Sequence, residues 1–554
     1  MIELLYIALA SLLVIAGATA LGNRLGLASP LVLVAVGVAA SFLPMFASVH
    51  IEPELILEGV LPPLLYSAAV SMPAMNFRRE FGAISGLSVF LVVASSLLLG
   101  LFFMLVLPDL GFAWGVALGA IVSPTDAVAT SIIKRTSVSK RVVAILDGES
   151  LLNDASALVI LRTAIAATAA AFSFWDAVGA FVYSVAVALV IGVVVGRLNL
   201  VIRSRVSDPT VNTVISFTVP FLAAMPAELL EASGLVAAVV AGLITGIRAP
   251  RELSPQHRLS DQQNWHMVEL VLEGAVFLTM GLQIRSIVMS VHAEHAGLGP
   301  AIAIALGALV LTILVRAAYV APLLGFLSHK AKRGAAVKER FKDFRERAIT
   351  SEEAKQRLAD LYTGAAPPDP SRSRAVSRFV RAFADIDYFL RAPLGWREGV
   401  AVVWAGMRGA VTVAAAHTLP TDTPQRAVLI LIAYVVAAVS LVLQGGTIGP
   451  LLRAIEKKDV DTTAADAQTD EARTRIMRLM RASAESIPEP EKAKERTPEG
   501  FQASRAHRLA VIAAQRTALL NARDNGTFDA DLLADILANL DADQIAIELR
   551  SVAE

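Results

Sequence analysis

The chain has 554 residues, 55% of them hydrophobic and 18% charged, a balance too apolar for a soluble protein of this size. Its 49 basic and 49 acidic residues cancel, so the overall charge points to no nucleic-acid or acidic partner. The absence of cysteine excludes disulfides, thiolate metal sites and thiol nucleophiles.

The start, Met1-Ile2-Glu3, lacks the basic n-region of a cleaved leader, so the first apolar run is expected to persist as a span. Apolar segments predict an all-α membrane protein with about thirteen spans, near residues 4–21, 27–45, 55–71, 83–107, 111–132, 142–170, 175–197, 210–227, 231–248, 266–284, 299–326, 398–418 and 427–453. The weakest division lies between spans eight and nine, around Pro226, Glu228, Glu231 and Gly234. Alternate connections hold the basic residues, among them Arg78, Arg79, Lys134, Lys140, Arg203, Arg251 and Arg258. The others hold Glu52, Glu54, Asp109, Asp176, Glu294 and Asp422. By the positive-inside rule the N-terminus is expected outside and the C-terminus in the cytoplasm, across an inner or plasma membrane.

Residues 1–453 are thus read as the transmembrane domain, with a cytoplasmic insertion at 329–397 broken by Pro367-Pro368-Asp369-Pro370. A charged linker is expected over 454–503. A cytoplasmic helical hairpin is expected over 504–554, turning at Asn525-Gly526.

Two spans carry polar breaks. In span five, Ser123-Pro124-Thr125-Asp126 reads as a helix start inside the membrane, with Ser as N-cap and Pro at the first helical position. Pro124 cannot donate to the carbonyl of Ala120, so the helix should break and expose free carbonyls and amides. Asp126 is assigned to the positive end of the second half-helix. Span twelve has Gly406-Met407-Arg408-Gly409, where Arg408 can serve the negative end of a half-helix or pair with a carboxylate of span six. Spans five and twelve differ by an odd number and run in opposite directions, so an inverted repeat would cross them at the midplane.

Span six carries Gly148-Glu149-Ser150-Leu151-Leu152-Asn153-Asp154. Asp147, Ser150 and Asp154 share one helical face, with Glu149 and Asn153 on the adjacent stripe. A polar seam gluing helices would be the structural alternative. Acids deep in a bilayer are costly and usually functional. A hard monovalent cation wants oxygen ligands, and Asp154, Ser150 and the freed carbonyl at Thr125 offer them, with water completing the shell. A proton and a cation can each neutralise Asp154, but not both at once, which yields exchange.

At these residues the chain resembles the monovalent cation:proton antiporters of the sodium/proton exchanger branch, bacterial type. Leu61-Pro62-Pro63-Leu64-Leu65, Ala241-Gly242-Leu243, Phe277 to Gly281 and Arg408-Gly409-Ala410 extend the likeness over about residues 1–453. The resemblance implies an inverted-repeat fold with a dimerisation part and a mobile core, working as a homodimer. It implies Asp154 as the shared cation and proton site, with Thr125, Glu149, Ser150 and Asn153 around it and Arg408 as partner to Glu149. Asn153 in place of a second acid implies electroneutral exchange. In this sequence Pro124 precedes Thr125, whereas many members place Pro after the acid.

Glu58, Glu228, Glu231, Glu269 and Glu273 are read as paired or interfacial, Arg162 as a partner for Glu231 or Glu273, and Arg316 as snorkelling to the cytoplasmic surface. No catalytic constellation, nucleotide loop or multi-histidine site is present, so a transporter is expected rather than an enzyme, with no cofactor and with lipid, cation and proton as partners. The substrate is read as Na+, alternatively Li+ or K+. Rival readings are a passive cation channel and a receptor on a carrier scaffold.

Overall fold

A computed structural model of the chain describes residues 2–43, 52–107, 109–134, 136, 138–169, 174–293, 297–348, 381–382, 384–390, 392–455, 462–489 and 498–549. Every regular element among them is helical, and nine helices are long and apolar enough to cross a membrane. Each of the thirteen apolar segments is represented by helix.

α1 (Ile2–Leu25) and α2 (Ser29–Ser41) are followed by a π-helical stretch, Leu55–Val60, that runs into α3 (Leu61–Ser71). α4 (Ala74–Ser85) and α5 (Val92–Val106) form one span through a second π stretch, Gly86–Leu91. α6 (Phe112–Val122) and α7 (Val128–Ile133) are the halves of a broken helix, and α8 (Lys140–Ala169) carries the acids. Then come α9 (Phe174–Arg203), α10 (Pro209–Leu229), α11 (Gly234–Glu252), α12 (Pro255–Leu282), α13 (Ile284–Ala293) and α14 (Leu298–Ala348). A second broken helix, α15 (Trp396–Trp404) and α16 (Ala410–His417), precedes α17 (Arg426–Ser440) and α18 (Gly446–Ile455).

Local caps settle the uncertain division. Asp208 accepts from the amides of Thr210 and Val211 at the start of α10, and the Ser233 hydroxyl accepts from the Val236 amide at the start of α11. Between them Glu231 adopts φ 55°, so spans eight and nine are separate helices joined by a tight turn.

α9, α10 and α11 pack on one another, α10 and α11 also pack on α3, and α2 packs along α12. On the other side α5 lies along α6, α6 along α8, and α14 along α15 and α17. α5 and α6 approach closely because Gly115 and Gly119 face backbone of the partner helix, where a Cβ would stand 2.5 and 2.4 Å from a carbonyl oxygen.

α14 continues for 51 residues, about 75 Å at 1.5 Å per residue, so its last third belongs to the insertion. The Pro-rich breaker lies outside the described residues. The returning part of the insertion docks on the basic ends of α4 and α8, where Asp385 pairs with Arg79 at 2.7 Å and Ala392 accepts from Arg141.

The segment read as a charged linker contains α19 (Thr462–Glu485), which packs with α20 (Pro498–Asn525) and α21 (Ala530–Leu549) around Ile476, Leu519, Leu533 and Ile536. The tail is therefore a three-helix unit rather than a hairpin. Charge hid this, since one apolar stripe suffices for a helix on a small bundle. Gly526, at φ 69°, makes the expected turn. The tail is tied to the membrane domain by Arg79 to the Gly526 carbonyl (2.8 Å), Lys140 to Asp531 (2.7 Å), Arg251 to Asp524 (2.6 Å) and Arg258 to Asp541 (2.6 Å).

Candidate functional site

The two breaks meet. The Asp126 amide donates to the Met407 carbonyl at 2.8 Å, and a Cβ on Gly409 would fall 1.3 Å from Asp126 Oδ2. Only glycine permits this crossing. The second half-helix starts at Val128, not at Pro124, with Ala127 at its N-cap position, and Asp126 just before it accepts at Oδ1 from the Val128 amide at 2.9 Å, at the positive end of the half-helix. Ser123 is not the expected cap: the half-helix begins beyond it, and its hydroxyl is bonded to that of Ser95.

Arg408 is buried and donates to the carbonyls of Val122, Ser123 and Gly406. It thus serves the negative ends of the first half-helices, one of the two roles open to it from sequence. The pairing with Glu149 implied by the family resemblance is not made. Glu149 is held instead by Arg316 of α14, with Nη2 to Oε2 at 2.8 Å, and Arg316 Nε also donates to the Val402 carbonyl. Arg316 therefore does not snorkel; it is 2% exposed. It lies more than two turns from the end of its apolar run, too deep to reach the surface, and that depth was the available signal.

Glu149 also accepts from the Thr125 hydroxyl (3.1 Å), and the Asn153 amide donates to the Thr125 carbonyl (2.9 Å) and hydroxyl (2.8 Å). Arg316, Glu149, Thr125 and Asn153 therefore form a satisfied network that holds the break open. The Thr125 carbonyl, expected free, has one lone pair taken by Asn153.

In front of this network lies a cavity of about 470 Å³ between α3 and α12 on one wall and the α6–α7 break, α8 and α16 on the other. Asp154, Ser150, Thr125 and Asp126 line it, whereas Glu149 and Asn153 face away toward Arg316 and Arg408. The five predicted ion-site residues thus divide into three on the cavity and two behind it. Asp154 is 9% exposed and, among the described residues, its carboxylate has no ion pair or hydrogen-bond donor. Beyond Asp154, Ile121, Leu158, Leu161 and Ala415 close the space with apolar side chains. The opposite end opens past Asp147 and Lys134, toward the face that binds the tail.

Glu269 and Glu273, read as paired or interfacial, also line the cavity; their spacing of four on α12 put them on one face. Arg162 pairs with Glu228 at 2.9 Å, not with Glu231 or Glu273. Glu231 sits in the turn between α10 and α11, and Glu273 lines the cavity.

Two crossed broken helices around a carboxylate-lined cavity define a membrane transporter rather than an enzyme. The chain matches the family described as sodium/hydrogen exchanger, transmembrane, over residues 9–359 and 373–454. It is 25% identical over 463 residues to the Na+/H+ antiporter NhaG of Bacillus atrophaeus, covering 79% of this chain and 73% of that one. It is 30% identical over 276 residues to the sodium, potassium, lithium and rubidium/H+ antiporter of Bacillus subtilis (strain 168), covering 48% and 41%. Its fold is similar to that of the sodium proton antiporter MjNhaP1 from Methanocaldococcus jannaschii at pH 8, with a TM-score of 0.56 and 15% identity over 82% of this chain and 98% of that one. The chain belongs to the sodium/hydrogen exchanger family, a multi-pass membrane family of monovalent cation:proton antiporters.

Proposed function

We propose that the protein exchanges Na+, and also Li+ or K+, for H+ by alternating access, with cation and proton competing for Asp154. The observation that carries this reading is a buried carboxylate, without an ion pair or hydrogen-bond donor among the described residues, that lines a cavity on one side and meets apolar side chains on the other. Ser150 and Thr125 supply further oxygens from the same wall. Glu149 is committed to Arg316, and Asn153 carries no ionisable group, so both hold the break behind the cavity. A cation entering the cavity displaces the proton on Asp154; either occupant neutralises the site, and only a neutral site passes an apolar barrier at low cost.

Asp154 as the single competing carboxylate supports electroneutral one-for-one exchange. The tail and the basic connections share one face, which supports a cytoplasmic opening, the N-terminus outside and the C-terminus inside. A homodimer in the inner or plasma membrane would use the outward apolar faces of α1 and α9. Selectivity beyond Na+ is favoured by the B. subtilis relative, whose name covers four alkali cations. A passive channel would need a polar path past Asp154, where Ile121, Leu158 and Leu161 stand.

The test is proton flux in vesicles holding a pH dye, with Na+, K+ and Li+ added separately. Asp154→Asn should abolish flux with every cation. Flux surviving in that variant rejects the site, and current without proton coupling supports a channel.

A further inference from the structure

We propose that Asp147 is an outer cation site at the cavity mouth and that the Lys134 ammonium is its built-in occupant, which each arriving substrate cation must displace. The inference rests on the reading of the cavity as the substrate path.

Lys134 Nζ lies 3.0 Å from Asp147 Oδ2, and both residues line the cavity. Among the described residues, the other lining Asp and Glu are Asp126, Asp154, Glu269 and Glu273, with His266 beside them, and Lys134 is the one Lys or Arg. A primary ammonium is a compact monovalent cation that binds carboxylate oxygen as a point charge, without the fork geometry of arginine. It therefore stands where an alkali cation of the same valence would stand. Asp147, Ser150 and Asp154 follow at i, i+3 and i+7 on one face of α8, so a cation released from Asp147 has about 10 Å of helix to travel, past a hydroxyl, to the buried acid.

The strength of the pair suits a competitor rather than a lock. Its side chains are 54% and 27% exposed, and ion pairs so open to water are weak. The ammonium can be displaced by ordinary cation concentrations, yet it sets an occupancy that substrate must overcome. Held at the end of α7, directly after the break, it remains close to Asp147 when it leaves.

Vesicles carrying wild type, Lys134→Met, Lys134→Arg, Asp147→Asn and the Lys134→Met/Asp147→Asn pair would be titrated with Na+ and K+. Lys134→Met should lower KM about threefold to fivefold, the range open to a half-exposed pair. Lys134→Arg, whose fork grips the carboxylate at least as firmly, should keep KM at or above the wild-type value. Asp147→Asn should raise KM, and in that background Lys134→Met should have no further effect. An unchanged KM in Lys134→Met, a change confined to maximum rate, or an effect that persists beside Asp147→Asn would overturn the proposal. Asp154→Asn in the same vesicles separates the two readings. If flux survives there, the transport site itself is wrong; if flux vanishes while Lys134→Met leaves KM untouched, only the outer site falls.

Discussion

Glu149 and Arg316 show what one buried pair does beside a transport site. Their side chains are 2% and 3% exposed, and Thr125 hangs from the same carboxylate. Removing one partner leaves an unpaired charge in the bilayer interior. Arg316→Met should therefore cost about 3–5 kcal/mol, while Glu149→Met/Arg316→Met should recover much of the loss. Thermal unfolding of these two variants, Glu149→Met and wild type in detergent closes the cycle; additive losses would show that the two side chains do not depend on each other. Glu149→Gln should also slow transport, because Arg316 loses its counter-charge beside the break that carries Thr125.

At the scale of elements, the crossing of the two broken helices depends on backbone meeting side chain. A methyl group on Gly409 would overlap Asp126 Oδ2, so Gly409→Ala must push α16 away from α7 or drag Asp126 off the Val128 amide. At least a tenfold loss of exchange rate is expected, with about 1 kcal/mol or more of stability, the scale of a lost cap. Flux assays beside thermal unfolding would check both. A simpler cap sits at α10, where the amides of Val211 and Thr210 hold the Asp208 carboxyl below the usual carboxylate range. A depressed folded value means the stabilisation is full above the unfolded carboxylate value and is lost as pH falls through the folded one. The melting-temperature gap between wild type and Asp208→Ala should be full near neutral pH and shrink on acidification below the carboxylate range. A gap that grows in acid would reverse the assignment.

For the whole molecule, the tail reaches both sides of the cavity. Its α20–α21 turn holds Arg79 and Lys140 on α4 and α8, and the bodies of α20 and α21 hold Arg251 and Arg258 at α11 and α12. Asp541 accepts from Arg258 (2.6 Å) and Arg516 (2.8 Å), both partly buried. Asp541→Ala leaves two guanidiniums facing each other and should loosen the tail by roughly 2 kcal/mol, the worth of a charge-assisted hydrogen bond. Faster tryptic cleavage in α20 and α21, with the membrane domain intact, is the expected result. An unchanged digestion pattern would show that apolar packing alone holds the tail.

Membrane class, span positions, both helix breaks and the acid-bearing face of α8 could be read from the chain because they rest on local facts: runs of apolar residues, a proline without its amide, a period of 3.6. The contiguous family motif drew attention to Asp154 and Ser150 for the same reason, and the proline break did so for Thr125. Partnerships could not be read. Arg316 is 167 residues from Glu149, and nothing local distinguishes it from Arg408 as the partner of that acid. Glu273 joined the cavity and Arg162 went to Glu228 because helices distant in sequence were packed side by side. Burial makes charge pairing obligatory, but which charges meet is decided only when the helices are brought together.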